Sequence, residues 1–166
     1  SPSFMNKLFV AALKEETVGL DFFYHIGVGK INATYNLVKL IHRYKPSIVI
    51  NYGTAGTLHP HMAGQFVRVA KLVQRDMDAR PLVDLGITPF EDDTGAIDLG
   101  GEGVTLSTGD NFVTAPPAIH SDIVDMEAYA IAKACRDAGK PFSCYKFITD
   151  LADADATENW RDNVAN

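Results

Sequence analysis

The chain has 166 residues, of which 46% are hydrophobic, and its mean hydropathy of −0.02 suits a soluble globular domain with a buried core. Its formal net charge is −6 and its 15 basic residues are scattered rather than clustered, so nucleic acid is not an expected partner. No segment approaches the roughly 18 apolar residues of a membrane span, and the two cysteines fit buried apolar positions better than a disulfide, so we expect a cytoplasmic protein without membrane association.

The first half of the chain alternates between apolar runs and one helical pattern. "KLFVAAL" (7–13) and "DFFYHIGVGK" (21–30) predict strands, the second closing on a glycine turn. A helix is predicted over 31–44, where a proline follows and stops it. Residues 47–57 predict a strand that enters a second glycine turn, and 64–74 predict a half-exposed strand. The residues expected on one face of the helix are Thr34, Leu37, Val38, Ile41 and Tyr44.

The second half begins with an irregular stretch and then returns to regular patterns. Residues 76–101 carry proline, glycine and acids without a sustained period, which indicates a long loop. Residues 103–113 predict a strand and turn, 121–127 a strand, 128–137 a helix and 141–150 the last strand. A further helix is predicted to begin in the final residues.

The alternation of strands and helices predicts an α/β fold, a single domain over residues 1–166 whose mixed sheet is flanked by helices. Two acids stand where predicted strands end, Glu127 in "DIVDMEAYAIAKAC" and Asp150 in "CYKFITDLAD". Ligands of open α/β sheets bind at the carboxyl ends of strands, and carboxylates are seldom buried without a partner. Glu127 and Asp150 are therefore candidates for work on a ligand.

Two glycine segments, "GVGK" and "GTAGT", follow predicted strands, where glycine lets backbone N–H groups approach a ligand closely. The first lacks the third glycine of a dinucleotide fingerprint, and the second lacks the Lys-Ser/Thr pair of a Walker A loop. A tight strand-to-helix connection is an equally good interpretation of each. His59 and His61 flank a proline in a loop with no third ligand spaced to join them, so we predict a solvated loop and no metal or cofactor.

Taken together and in order, "ALKEE", "GVGKINA", "VINYGTAGTL", "STGDNFV", "DMEAYAIA" and "FITDLAD" resemble the purine nucleoside phosphorylase and nucleosidase superfamily. Within it, they resemble the methylthioadenosine/S-adenosylhomocysteine nucleosidases of methionine salvage. The resemblance implies a phosphorylase/hydrolase-like fold and hydrolysis of the N-ribosidic bond of a purine nucleoside, releasing adenine. It also implies a homodimer, for which the loop "ITPFED" (87–92) is the candidate contact. The chain is short for this family, because the stretch between Glu16 and Gly27 leaves no room for the usual hairpin.

The resemblance also implies a role for each matched residue. Asp150 would be the general acid that protonates N7 of the purine, and Glu16 would activate the attacking water. Glu127 would accept hydrogen bonds from the ribose hydroxyls. Phe112 would stack on the base, and Trp160 would close the far side. The remaining substrate-binding residues would be Val28, Thr54, Ala55 and Gly56 at the sugar and water site, Val113 at the edge of the base, and Asp125 and Met126 beside the ribose.

Each assignment has an alternative. Glu127 would also suit the positive end of a helix dipole, Asp150 a capping loop, and Phe112 the core. Phosphorolysis is the closest rival activity, although phosphorylases of the superfamily hold phosphate with an arginine where this chain has "LKEET". Nucleosidases for AMP or futalosine stay open, and so does a non-catalytic nucleoside-binding protein, since Asp125 and Thr57 depart from the family pattern.

Overall fold

A computed structural model describes residues 6–151 of the chain and, for Asp150 and Leu151, the backbone alone. The helix predicted in the final residues, and with it Trp160, lies outside the described residues. Two short 3₁₀ turns, Lys14–Thr17 and Pro60–Met62, accompany the longer elements. In chain order these elements are β1 (Lys7–Ala11), β2 (Phe23–His25), α1 (Lys30–Tyr44), β3 (Ile48–Thr57), β4 (Phe66–Gln74), β5 (Ile97–Asp98), β6 (Val104–Thr108), β7 (Ile123–Asp125), α2 (Ala128–Asp137) and β8 (Phe142–Leu151).

The eight strands form one mixed sheet in the order β2, β1, β3, β7, β6, β4, β5, with β8 pairing both β3 and β4. Strands β3, β7, β6, β4 and β8 therefore close into a ring. Five neighbour pairs are parallel, and β3 with β7, β4 with β5 and β4 with β8 are antiparallel. The predicted α/β fold, a mixed sheet flanked by helices, is confirmed. Among the described residues, neither helix has both the length and the apolar character needed to cross a membrane.

Helix α1 buries only part of the face predicted. Ala33, Leu37 and Ile41 are buried against β1 and α2, whereas Val38 is 51% exposed. Thr34 and Tyr44 also face outward, so three of the five predicted positions were wrong. Ala33, Leu37 and Ile41 belong to one core cluster with Leu8 and Val10 of β1 and Ile131 of α2. Helix α2 spans 128–137 as predicted.

The two glycine segments differ in structure. Gly27 and Gly29 have φ of +87° and +92°, values that favour glycine, so β2 stops at His25 and the predicted strand over 21–30 is shorter than expected. The second segment was wrongly predicted as a turn, because β3 continues without a break through Gly53 and Gly56 to Thr57. A side chain at 53 would meet buried polar atoms, which is the reason for a glycine within a strand.

Candidate active site

One cavity of about 290 Å³ lies where the carboxyl ends of several strands meet, near the lower end of the size range of small-molecule sites. All ten predicted site residues whose side chains the structure describes line it. They are Glu16, Val28, Thr54, Ala55, Gly56, Phe112, Val113, Asp125, Met126 and Glu127. Of the other two, Asp150 has its backbone paired with Gly56 across β3 and β8, while its side chain and all of Trp160 lie outside the described residues.

Glu16 is held in the cavity wall by three hydrogen bonds. The 3₁₀ turn after β1 carries it, and its Oε1 accepts from the backbone N–H of Leu13 at 3.1 Å. Its Oε2 accepts from both the backbone N–H and the hydroxyl of Thr54, each at 2.7 Å. The adjacent Glu15 is exposed, so only one acid of this pair faces the cavity. Glu16 is therefore fixed in orientation before any ligand enters.

Glu127 stands at the start of α2 but makes no hydrogen bond that caps its own helix. Its Oε2 instead accepts from the backbone N–H of Gly29, at 3.0 Å. The residue is 8% exposed, and burial, reinforced by the nearby charge of Asp125, raises the pKa of its carboxyl to about 8. Lys146 opposes this rise. The dipole alone thus does not account for the position of this side chain.

Asp125 lines the cavity with its carboxylate turned towards the protein. Its Oδ1 accepts from the hydroxyl of Thr108, and its Oδ2 accepts from the N–H groups of Glu127 and Ala128 at 3.2 and 2.8 Å. The same oxygen lies 3.2 Å from Nζ of Lys146. Asp125 therefore ties the start of α2 to β6 and β8 and fixes the backbone from which Glu127 projects.

Lys146 is a residue that sequence reasoning missed. It is 2% exposed in the middle of β8, and its Nζ lies 3.0 Å from the point that a Cβ on Gly53 would occupy, while Oε2 of Glu16 lies 3.1 Å from the same point. Burial opposes its charge, but Asp125, Glu16 and Glu127 outweigh burial and raise its pKa. The available signal was a single charge inside the apolar run "FSCYKFIT", because such a charge needs a buried partner.

The other wall of the cavity is formed by the segment from Gly109 to Val113. Phe112 is 42% exposed and faces the cavity, so the core alternative does not describe it, whereas Val113 is buried against Val124 and Leu58. Arg75, at the end of β4, also lines the cavity and was not predicted. Among the described residues, no group of three or more histidines, cysteines or acids is arranged to hold a metal.

Known proteins resemble this chain in sequence. The family model described as "Phosphorylase superfamily" matches residues 19–100 and 97–166, nearly the whole chain. The chain belongs to the phosphorylase superfamily. It is 31% identical to the 5′-methylthioadenosine/S-adenosylhomocysteine nucleosidase of Staphylococcus saprophyticus, over 78% of this chain and 68% of that protein. The protein of the same name from Bacillus subtilis is 30% identical, over 76% of this chain and 66% of that protein. The resemblance inferred from the motifs is confirmed, and this superfamily member spans about two thirds of the length of these curated relatives.

Solved structures share the superfamily fold. An S-adenosylhomocysteine nucleosidase from Streptococcus pyogenes, in complex with 5-methylthiotubericidin, superposes with a TM-score of 0.84 at 24% identity, covering 96% of this chain and 90% of that one. A futalosine hydrolase mutant from Helicobacter pylori gives a TM-score of 0.85 at 19% identity, covering 96% and 92% of the two chains. At these identities the likeness shows the fold alone.

Proposed function

We propose that this chain hydrolyses the N-ribosidic bond of a purine nucleoside, with 5′-methylthioadenosine or S-adenosylhomocysteine as substrate and adenine as product. The observation that carries the proposal is that Glu16 and Glu127 face one cavity together with the ring of Phe112. A relative with this activity in its name is 31% identical over 78% of the chain. The constellation thus supplies acids for a sugar and an aromatic face for a base.

The chemistry follows from charge. Cleavage of a ribosyl C–N bond develops positive charge on the sugar and negative charge on the departing base, as in glycoside hydrolysis. The Glu16 carboxylate, fixed by Leu13 and Thr54, is placed to orient a water and take its proton. Glu127 accepts hydrogen bonds from ribose hydroxyls and stabilises the cation. Asp150 protonates the base; its backbone lies beside Gly56 of the cavity wall, which supports this role.

The residues around this cavity suit water better than phosphate as the nucleophile. The two buried cations around its described wall, Arg75 and Lys146, are engaged within the protein, Arg75 by backbone carbonyl groups and Lys146 by Asp125. Phosphate recognition uses cationic forks, whereas here a phosphate would meet the carboxylates of Glu16 and Glu127. Hydrolysis is therefore favoured over phosphorolysis.

The test is incubation with methylthioadenosine, with and without phosphate, followed by chromatography of the products. Adenine formed at the same rate in both conditions supports hydrolysis, whereas 5-methylthioribose 1-phosphate formed only with phosphate supports the rival activity. Futalosine and AMP serve as competing substrates. Tight nucleoside binding without turnover would leave only a binding protein.

Two pairs of variants assign the acids. Glu16→Gln should lower kcat by about 10²- to 10⁴-fold, while Glu15→Gln, the exposed neighbour, should leave it unchanged. Asp150→Asn should lower kcat by a similar factor while the variant still binds substrate, and Asp153→Asn serves as its control. Equal activity of Asp150→Asn and the wild-type chain would remove the proposed proton donor.

A homodimer acting in the cytoplasm, within methionine salvage, completes the proposal. Phe90, in the loop 87–92, is 93% exposed and has a φ of +65°. The neighbouring Glu91 bonds Lys133 of α2 at 2.7 Å, so the loop is anchored while Phe90 projects. Phe90→Asp should lower the dimer fraction measured by light scattering, whereas Leu82→Asp, at another exposed apolar residue, should not. A monomeric wild-type chain would contradict this part of the proposal.

A further inference from the structure

Arg75 serves as a hub for backbone groups rather than as a partner for an acid. Its Nη1 donates to the carbonyl oxygens of Ser107 and Asp125, at 2.6 and 2.9 Å. Its Nη2 donates to those of Gly109 and Asn111, at 3.3 and 2.8 Å. The residue is 8% exposed. One guanidinium thus joins the ends of β6 and β7 to the segment that follows β6.

That segment, residues 109–113, is named here the base loop because it brings Asn111, Phe112 and Val113 to the cavity. It lies outside the strands, so the sheet ladder does not fix its path. Its backbone is tied by the N–H of Gly109, which donates to the carbonyl of Asp125 at 3.3 Å. Of the two carbonyls that Arg75 binds within the base loop, that of Asn111 directly precedes Phe112 and that of Gly109 lies two residues earlier.

A second set of contacts holds the base loop from the side of α1. Oδ1 of Asp110 accepts from the backbone N–H of Lys30 at 2.8 Å, and the N–H of Asp110 donates to Oδ2 of Asp76 at 2.9 Å. Nζ of Lys30 forms an ion pair with Oδ1 of Asp76 at 2.8 Å, so these three residues contact one another. The base loop is therefore clamped between a buried guanidinium on its inner side and a polar cluster on its outer side.

The fit between Arg75 and the base loop leaves no spare room. A Cβ on Gly109 would lie 3.0 to 3.1 Å from Nε, Cγ and Cζ of Arg75, closer than side-chain atoms normally approach. The Nε–H has no partner within the described part of the chain. Buried donors are rarely left unpaired, so the guanidinium is placed to meet the carbonyls at the expense of one of its own hydrogen bonds.

We propose that Arg75 is a positioning residue that sets the geometry of the base loop and thereby the selectivity of the cavity for its purine. The inference rests on the proposed nucleosidase function. Lysine cannot replace Arg75 in this role, because an ammonium is a point charge and cannot present two pairs of donors in a rigid plane. In a lysine variant the base loop therefore gains conformational freedom. Glu16 keeps its hydrogen bonds to Leu13 and Thr54, and Glu127 keeps its hydrogen bond to Gly29.

The test compares Arg75→Lys with Arg68→Lys. Arg68 lies on β4, the strand that Arg75 follows, and also binds two backbone carbonyls, those of Gly100 and Glu102, but it does not line the cavity. For Arg75→Lys we expect the KM for methylthioadenosine to rise about tenfold or more while kcat stays within about threefold. The preference for methylthioadenosine over methylthioinosine, as a ratio of kcat/KM values, should fall about fivefold or more. Arg68→Lys should match the wild-type chain in both.

Amide hydrogen exchange separates this inference from the proposed function. Exchange within residues 109–113 should be about tenfold faster in Arg75→Lys and unchanged in Arg68→Lys, whether or not the chain releases adenine. If Arg75→Lys does not fold, Gly109→Ala, which pushes a methyl group against the guanidinium, should show the same rise in KM and the same loss of preference. Unaltered exchange, or a fall in kcat with an unchanged substrate preference, overturns the inference.

Discussion

Replacing Glu127 by glutamine should make the protein more stable at alkaline pH and less active. The carboxyl is buried, and burial together with Asp125 raises its pKa from 4.5 to about 8. Each pKa unit corresponds to about 1.4 kcal/mol, so ionising this group costs about 5 kcal/mol more in the folded chain than in the unfolded chain. Glutamine is neutral at every pH, and its amide oxygen can still accept from the N–H of Gly29.

The direction in which stability changes with pH follows from proton binding. Between pH 4.5 and about 8 the folded chain holds the Glu127 proton more tightly than the unfolded chain does. The stability contributed by this group is therefore fully present below pH 4.5 and is lost as pH rises through about 8. The free energy of unfolding of Glu127→Gln, relative to the wild-type chain, should rise by about 4 kcal/mol between pH 5 and pH 9.

The assay is urea unfolding of both proteins at pH 5, 7 and 9, with Glu15→Gln as the exposed control. Adenine release by Glu127→Gln should fall by about 10²-fold at pH 9, where the wild-type carboxyl is ionised and its charge stabilises the ribosyl cation. A stability difference that stays constant with pH would refute the buried, proton-binding description of Glu127. Full activity in the variant would refute its role at the ribose.

Three further results are expected. Lys146→Met should lower the free energy of unfolding by about 3–5 kcal/mol, because it leaves Asp125 buried without its cation. Lys133→Met, at an exposed ion pair, should lower it by less than about 1 kcal/mol. Equal urea midpoints for the two variants would contradict this. Phe112→Ala should weaken adenine binding by about 1–3 kcal/mol in calorimetry with little change in melting temperature, and undiminished binding would remove the stacking role. Burial raises the pKa of the Cys135 and Cys144 thiols to about 12. A thiol reagent should therefore modify neither cysteine in the folded protein and both in urea. Rapid labelling of the native chain would contradict their burial.

Much of the fold could be predicted because the chain's local patterns agree with its final structure. The apolar runs that became β1, β3 and β8 are bounded by charges, glycines or prolines, and α2 has a clear apolar stripe. The positions of Glu16, Phe112 and Glu127 came instead from motifs in the order typical of one family. No local pattern brings residues so far apart in sequence to one cavity.

The remaining features depend on contacts that sequence periodicity does not encode. The buried face of α1 was only partly predicted, because periodicity does not distinguish the exposed Val38 from the buried Ala33. In the sequence, Arg75 is one charged residue between a predicted strand and a predicted loop. Its partners are backbone carbonyl groups, which no sequence pattern identifies. Lys146 has a signature, but the identity of its partner depends on the pairing of distant strands.

The absence of a side chain at position 53 leaves room for Lys146 and Glu16 to lie close to the same point. Nζ of Lys146 and Oε2 of Glu16 lie 3.0 and 3.1 Å from the position of an added Cβ, so alanine, although it suits a strand's backbone, would require them to shift by a few tenths of an ångström. In a comprehensive mutational scan, every side chain larger than alanine at residue 53 should therefore abolish activity, while the folded yield of the alanine variant stays near normal.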